Sequence, residues 1–188
     1  MSIGKRSLRV EALSRRDSIR AAERMAAELA LAAAVAPLVG GRTAAYVSIG
    51  TEPGTAALLA RLDEVLLPVL LEDGDLDWVL FEGELVPGPH GLLEPAGPRF
   101  GRDAVADCSL VVVPALAVDR AGTRLGRGGG SYDRALRRTS AFVVAALHVG
   151  ELCGALPSEP HDEPVDAVVL PDRGLVLLRA TGPDGMAP

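Results

Sequence analysis

Ser109-Leu110-Val111-Val112-Val113 is a short, continuous apolar run rich in β-branched residues. It lacks the alternation of a half-solvated strand. Such runs belong to strands buried on both faces, as in parallel sheets covered by helices. The same texture recurs outward from it. Downstream, Phe142 to His148 reads as a second buried strand, and Val168–Leu170 and Leu175–Leu178 close the sheet. Upstream, Ala44–Ile49, Val65–Leu71 and Asp77–Phe81 read as strands, and Thr55–Leu62 as a helix with Thr55 as its cap. Gly130–Arg138 reads as a further helix. In residues 3–35 the apolar positions Leu8, Leu13 and Ile19, then Met25, Leu29 and Ala33, recur at helical spacing. Ser14 or Asp17 can cap a second start there, so a break is expected near them, and Gly40-Gly41 ends the helical region. Residues 86–101 hold four prolines and four glycines, which predicts a long ordered loop. Strands alternating with helices predict an α/β fold: a mostly parallel sheet flanked by helices in three layers. With no repeat and no break in composition, a single domain over residues 1–180 and a mobile tail over 181–188 are expected.

Composition narrows the function. Of 188 residues, 48% are hydrophobic and only 3% aromatic, so the core must be built from Ala, Leu and Val. No apolar run approaches the ~20 residues needed to cross a bilayer, and Lys5, Arg6 and Arg9 are followed by more charge rather than by the apolar block of a secretory signal. A cytoplasmic protein without membrane contact is expected. The net charge of −6 argues against a nucleic-acid binder. Cys108 and Cys153 are isolated thiols that read as small buried hydrophobes. Lys5 is the only lysine among 19 basic residues.

Chemistry concentrates in Arg124-Leu125-Gly126-Arg127-Gly128-Gly129-Gly130-Ser131-Tyr132-Asp133-Arg134, where four glycines fall in five positions just before a helix. Glycines let backbone N–H groups approach a ligand closely, and a helix start adds free donors and positive potential, which together suit phosphate. Arg124 and Arg127 can fork onto phosphate oxygens, and Asp133 can hold magnesium beside them. Neither a Walker loop nor the dinucleotide fingerprint is present: no Gly-Lys-Ser/Thr follows, the third glycine position holds Ser131, and the preceding strand ends too far upstream. Lys5 and Arg9, four residues apart, share one helical face.

These residues resemble a known family. The run is similar to the Arg-Leu-Gly-x-Gly-x-Gly-x-Tyr-Asp-Arg signature of 5-formyltetrahydrofolate cyclo-ligases. Other segments match in order: Lys5-Arg6-Ser7-Leu8-Arg9 resembles Lys-x-x-Leu-Arg, Tyr46 through Thr55 resembles Tyr-x-Ser … Glu-x-Asp-Thr, and Gly91-Leu92-Leu93-Glu94-Pro95 resembles Gly-Ile-x-Glu-Pro. Pro114 to Asp119 resembles Pro-Gly-Leu-Ala-Phe-Asp, and Leu156 to Asp162 resembles Leu-Pro-x-Glu-x-His-Asp. The likeness covers the chain to about residue 170. It implies an ATP- and Mg2+-dependent enzyme that converts 5-formyltetrahydrofolate to 5,10-methenyltetrahydrofolate, ADP and phosphate. Carried over, Lys5, Arg9 and Arg124 through Tyr132 would hold ATP. Asp133 and Asp162 would serve the metal. Arg127 and Tyr132 would act in catalysis, and Glu52, Gly54, Arg127 and Ser131 would meet the folate.

The implied chemistry needs no side-chain nucleophile. The formyl oxygen is a poor leaving group until phosphorylated, so the protein's task is positioning and charge neutralisation. Glu52 suits the paired N–H donors of a pterin. Arg15, Arg16 and Arg99 are the candidates for the folate's glutamate tail, and Tyr46, Trp78, Phe81, Phe100, Tyr132 and Phe142 are the only aromatics available to stack. None of His90, His148 and His161 is assigned a catalytic role. Departures from the pattern stand at Gly54 (an acid in the family), Ser131 (a tyrosine) and Val118 (a phenylalanine). They keep open two other readings: a silent folate- or nucleotide-binding relative, and an ATP-dependent enzyme on a different acyl substrate. The oligomeric expectation is a monomer or weak homo-oligomer.

Overall fold

The computed structural model describes residues 4–178. The expected tail, 181–188, lies outside them. In chain order the elements are α1 (Lys5–Asp17), α2 (Ala21–Val35), β1 (Thr43–Ala44), α3 (Ala56–Leu59), β2 (Val65–Leu70), β3 (Leu76–Leu80), β4 (Leu85–Pro87), β5 (Leu93–Pro95), β6 (Leu110–Pro114), β7 (Ala117–Asp119), β8 (Arg124–Leu125), α4 (Ser131–Leu136), β9 (Phe142–Ala146), β10 (Leu152–Cys153), β11 (Ala167–Leu170) and β12 (Gly174–Leu177).

Seven strands form one sheet in the order β12-β11-β9-β6-β1-β2-β3. The five inner strands run parallel, and the edge strands β12 and β3 are antiparallel. The apolar run 110–113 is the reason. Leu110 and Val112 face one core with Leu31, Val35 and Leu58, while Val111 and Val113 face the other with Val105, Ala135 and Leu136. Both faces are dry, so every position of the strand is apolar. The layers are therefore α2 and α3, the sheet, then α4 with the 3-10 turns of 102–107. A smaller sheet, β10-β7-β8, packs against α1 through Ala12, Leu116 and Leu125.

The expected elements form, with shifts that have local causes. The break in the N-terminal helices falls at 18–20, beyond both Ser14 and Asp17. Ser18 Oγ donates to the Arg15 carbonyl (2.7 Å) and closes α1, and the Glu23 carboxylate accepts the Arg20 N–H (2.9 Å) to start α2. The strand expected over 44–49 ends at Ala44. Ser48 and Thr55 exchange side-chain-to-backbone bonds of 3.1 and 3.3 Å, and Glu52 Oε2 takes the Ile49 N–H at 3.0 Å, so side chains replace the ladder. Thr55 stands at the N-cap position of α3, but its hydroxyl is spent on Ser48. The loop over 86–101 carries a hairpin, β4 paired with β5.

Candidate active site

The sheet's topology sets where a ligand can sit. From β1 the chain moves outward to β2 on one side; from β6 it moves outward to β9 on the other. Loops leaving the carboxyl ends of β1 and β6 therefore part, and open α/β sheets bind ligands in such crevices. A cavity of about 880 Å³ opens there. Tyr46 and Glu52 reach it from the loop after β1, and Pro114 and Ala115 from the end of β6. Every residue that the family motifs single out for ATP, folate or metal lines this cavity except Gly54.

The glycine-rich run wraps one wall. Gly128 and Gly130 have positive φ (105° and 69°), which other residues rarely adopt. Gly130 is also the N-cap of α4. A side chain at Gly128 would press on the Arg9 guanidinium and one at Gly126 on Arg124. Arg9 Nε donates to the Gly126 carbonyl at 2.9 Å. Arg124 is nearly buried, bonds Asp133 Oδ1 through Nη2 at 2.7 Å, and lies over the Tyr132 ring at 5.8 Å. The Glu163 N–H also reaches Asp133 Oδ1 (3.3 Å), which brings α4 against the segment of Asp162.

Lys5 bridges acids from the far end of the chain. Its Nζ lies 2.8 Å from Glu159 Oε2 and 2.8 and 2.6 Å from the two oxygens of Asp162. Burial works against both charges, but the hydrogen bonds to Asp162 and Glu159 outweigh it and hold the Lys5 ammonium above its usual value. Asp162 is likewise held below the usual carboxylate value against the cost of its burial. Glu159, His161 and Asp162 place ligand atoms within 4.8 Å of one another.

Arg127 and Glu52 find each other. Arg127 Nε donates to Glu52 Oε1 at 3.1 Å; the arginine is half exposed while the glutamate is buried. Ser131 does not point to a ligand in this arrangement, because its hydroxyl donates to the Gly74 carbonyl (2.5 Å) in the turn between β2 and β3. Arg134 donates to the same carbonyl. Gly54 is absent from the cavity, and the Glu28 carboxylate fills the space beside it.

Of the six aromatics, only Tyr46 and Tyr132 line the cavity, and burial pushes both phenols up, so both stay protonated. Trp78 is core. Arg16 has no charge to offer a glutamate tail: it is 1% exposed and forked onto Glu151 at 2.6 and 2.7 Å. Arg15 and Arg99 do not line the cavity either. Burial pushes the Cys108 thiol up to about 11, in keeping with an inert core cysteine. His90, the one non-glycine with positive φ among the described residues, and His161 line the cavity. So does an apolar wall made of Pro68, Leu70 and Leu76, which no motif announced, with Leu92 and Leu93 of the Gly-Leu-Leu-Glu-Pro segment. Glu94, inside the Leu-Glu-Pro motif, accepts the Leu70 N–H at 2.9 Å and holds the hairpin to that wall.

Residues 1–171 match the profile of the 5-formyltetrahydrofolate cyclo-ligase family. The chain is 41% identical over 189 residues to the 5-formyltetrahydrofolate cyclo-ligase of Mycolicibacterium smegmatis, covering 93% of this chain and 97% of that one. It is 32% identical over 149 residues to that of Escherichia coli, covering 73% and 82%. In structure it is similar to the 5,10-methenyltetrahydrofolate synthetase of Aquifex aeolicus, with a TM-score of 0.79, 25% identity and coverage of 98% and 96%.

Proposed function

The chain belongs to the 5-formyltetrahydrofolate cyclo-ligase family, and from that premise we propose that it uses ATP to convert 5-formyltetrahydrofolate to 5,10-methenyltetrahydrofolate, ADP and phosphate. One observation carries the reading. A single cavity joins a cationic, glycine-lined wall to a buried carboxylate and an apolar wall, and about 880 Å³ is at the upper end of ordinary ligand sites.

The nucleotide phosphates take the backbone amides of 126–130 and the charges of Lys5, Arg9, Arg124 and Arg127. The formyl oxygen attacks the γ-phosphorus and ADP leaves. Folate N10 then attacks the activated carbon, the oxygen departs as phosphate, and the N10 proton is lost. Arg127, half exposed, neutralises the transferring group. Glu52 spends one bond on Ile49 and one on Arg127, and a carboxylate can accept about four, so it retains capacity for the pterin donors. Tyr132, kept neutral by burial, serves as a ring and a phenol donor rather than a base. Magnesium would be held by Glu159 and Asp162, whose ligand atoms lie within 4.8 Å of one another and whose oxygens Lys5 otherwise bonds; Asp133, bonded only through Oδ1, offers Oδ2 as a further hard oxygen. Bound there it would supply positive charge to the phosphates.

The test mixes protein, 5-formyltetrahydrofolate and MgATP and follows the near-ultraviolet absorbance of the methenyl product. The rise should need every component. Arg127→Ala should slow turnover roughly 100-fold or more with an unchanged melting curve. No rise with all components present rejects the reading.

A further inference from the structure

We propose that Glu28, on α2, is a positioning residue for the folate side of the site, and that it supplies from another element the carboxylate that is missing at Gly54. The proposal rests on the function read above and adds a residue to it. Two observations converge. A Cβ at position 54 would run into Glu28 Oε2 and lie 2.8 Å from Glu28 Cδ. The φ of Gly54 lies outside the positive range that resists side chains, so what keeps a side chain out is the Glu28 carboxylate. In addition, Glu28 Oε1 accepts the Ala57 N–H at 2.9 Å.

That N–H is one of the donors a helix start leaves unpaired, and capping it fixes the first turn. Thr55, at the N-cap position, makes no cap bond, since its hydroxyl accepts from Ser48 instead. Glu28 therefore caps α3 in its place. The consequence reaches the cavity through a short path. Thr55 and Ser48 exchange two bonds, Tyr46 Oη donates to the Pro53 carbonyl at 3.0 Å, and the turn between them presents Glu52. Loosening the first turn of α3 loosens one end of that turn. Gly54 is thus the complement of Glu28 rather than a lost substrate contact: one carboxylate fits at this place, and the chain carries it on α2.

The experiment compares Glu28→Ala, Glu28→Gln, Gly54→Asp and the double variant Glu28→Ala/Gly54→Asp. Amide hydrogen exchange at Ala57, measured without substrate, should speed roughly tenfold in Glu28→Ala. It should stay near the parent in Glu28→Gln, which keeps an acceptor, and return toward the parent in the double variant. In turnover, Glu28→Ala should raise KM for the folate roughly tenfold with kcat and the KM for ATP within about twofold, and the double variant should recover. Gly54→Asp alone should be impaired, because two carboxylates compete for one place. Unchanged Ala57 exchange in Glu28→Ala, or a double variant no better than the worse single one, overturns the proposal. If the parent shows no turnover, the functional reading fails while the exchange data still decide whether Glu28 caps α3.

Discussion

At the scale of single residues, the site is held by pairs that join opposite charges from distant parts of the chain. Lys5 is locked between Glu159 and Asp162, and Arg127 leans on Glu52. On the proposed roles Lys5 serves ATP and Glu52 the folate, which predicts a separation in kinetics. Lys5→Ala should raise KM for ATP roughly tenfold and leave the KM for folate nearly unchanged. Lys5→Arg should not restore it, because a planar fork does not replace a compact ammonium between two carboxylates. Glu52→Gln, which still accepts the Ile49 N–H, should do the reverse and raise KM for folate. Steady-state rates with each substrate varied in turn check both; equal effects on both constants would refute the division.

Among the elements, α1 does two jobs. One face sends Lys5 and Arg9 into the cavity. Near its other end Arg16 is sunk against the small sheet, where it bonds Glu151 and the Ala115 carbonyl. Glu151 in turn accepts the His148 N–H at 2.8 Å. Removing one partner leaves a buried charge alone, so Arg16→Met should cost about 3–5 kcal/mol, read from the urea midpoint at constant slope. Adding Glu151→Leu should recover only part, since the Ala115 carbonyl and the His148 N–H remain unpaired. A different element, the turn between β2 and β3, holds the glycine-rich run from outside. Ser131 and Arg134 both donate to Gly74, and the neighbouring Asp75 is forked by Arg138 at 3.1 and 2.6 Å. The hydroxyl that stands where the family has a tyrosine thus ties the loop to the sheet.

The whole molecule should lose stability toward acid in two steps. Burial holds the His148 imidazole below its usual 6.5, so the folded state prefers it neutral. That contribution is full above about pH 6.5 and is lost as pH falls from there toward the folded value. Asp75 is held below its usual 3.8, chiefly by its bonds from Arg138. Its contribution is complete above the unfolded value and is lost as pH falls through the depressed one. Melting temperature against pH should show both windows. His148→Gln should flatten the upper one and Asp75→Asn the lower; a profile unchanged by either refutes the assignment. None of the described helices is long and apolar enough to cross a membrane.

Much of this was legible in the chain itself. The unbroken apolar run at 110–113, repeated at 142–146 and 167–170, dictates strands buried on both faces, because a solvated face would demand alternation. The glycine-rich run predicts a loop that a ligand can approach closely, and it does form a wall of the cavity. What tertiary structure alone decided is who meets whom. Arg16 and Arg9 look alike in sequence, yet one faces the cavity and the other is buried against Glu151, since the side of α1 that meets the small sheet is set by packing. The strand over 44–49 stops early because Ser48, Glu52 and Thr55 outbid the ladder for its N–H groups. Gly54 read as a lost acid. Only the approach of α2 to α3 brings a carboxylate to that place, 26 residues away in sequence from the position that lacks it. Local pattern is written by the period of burial, whereas pairing across such distances depends on the folded path of the chain.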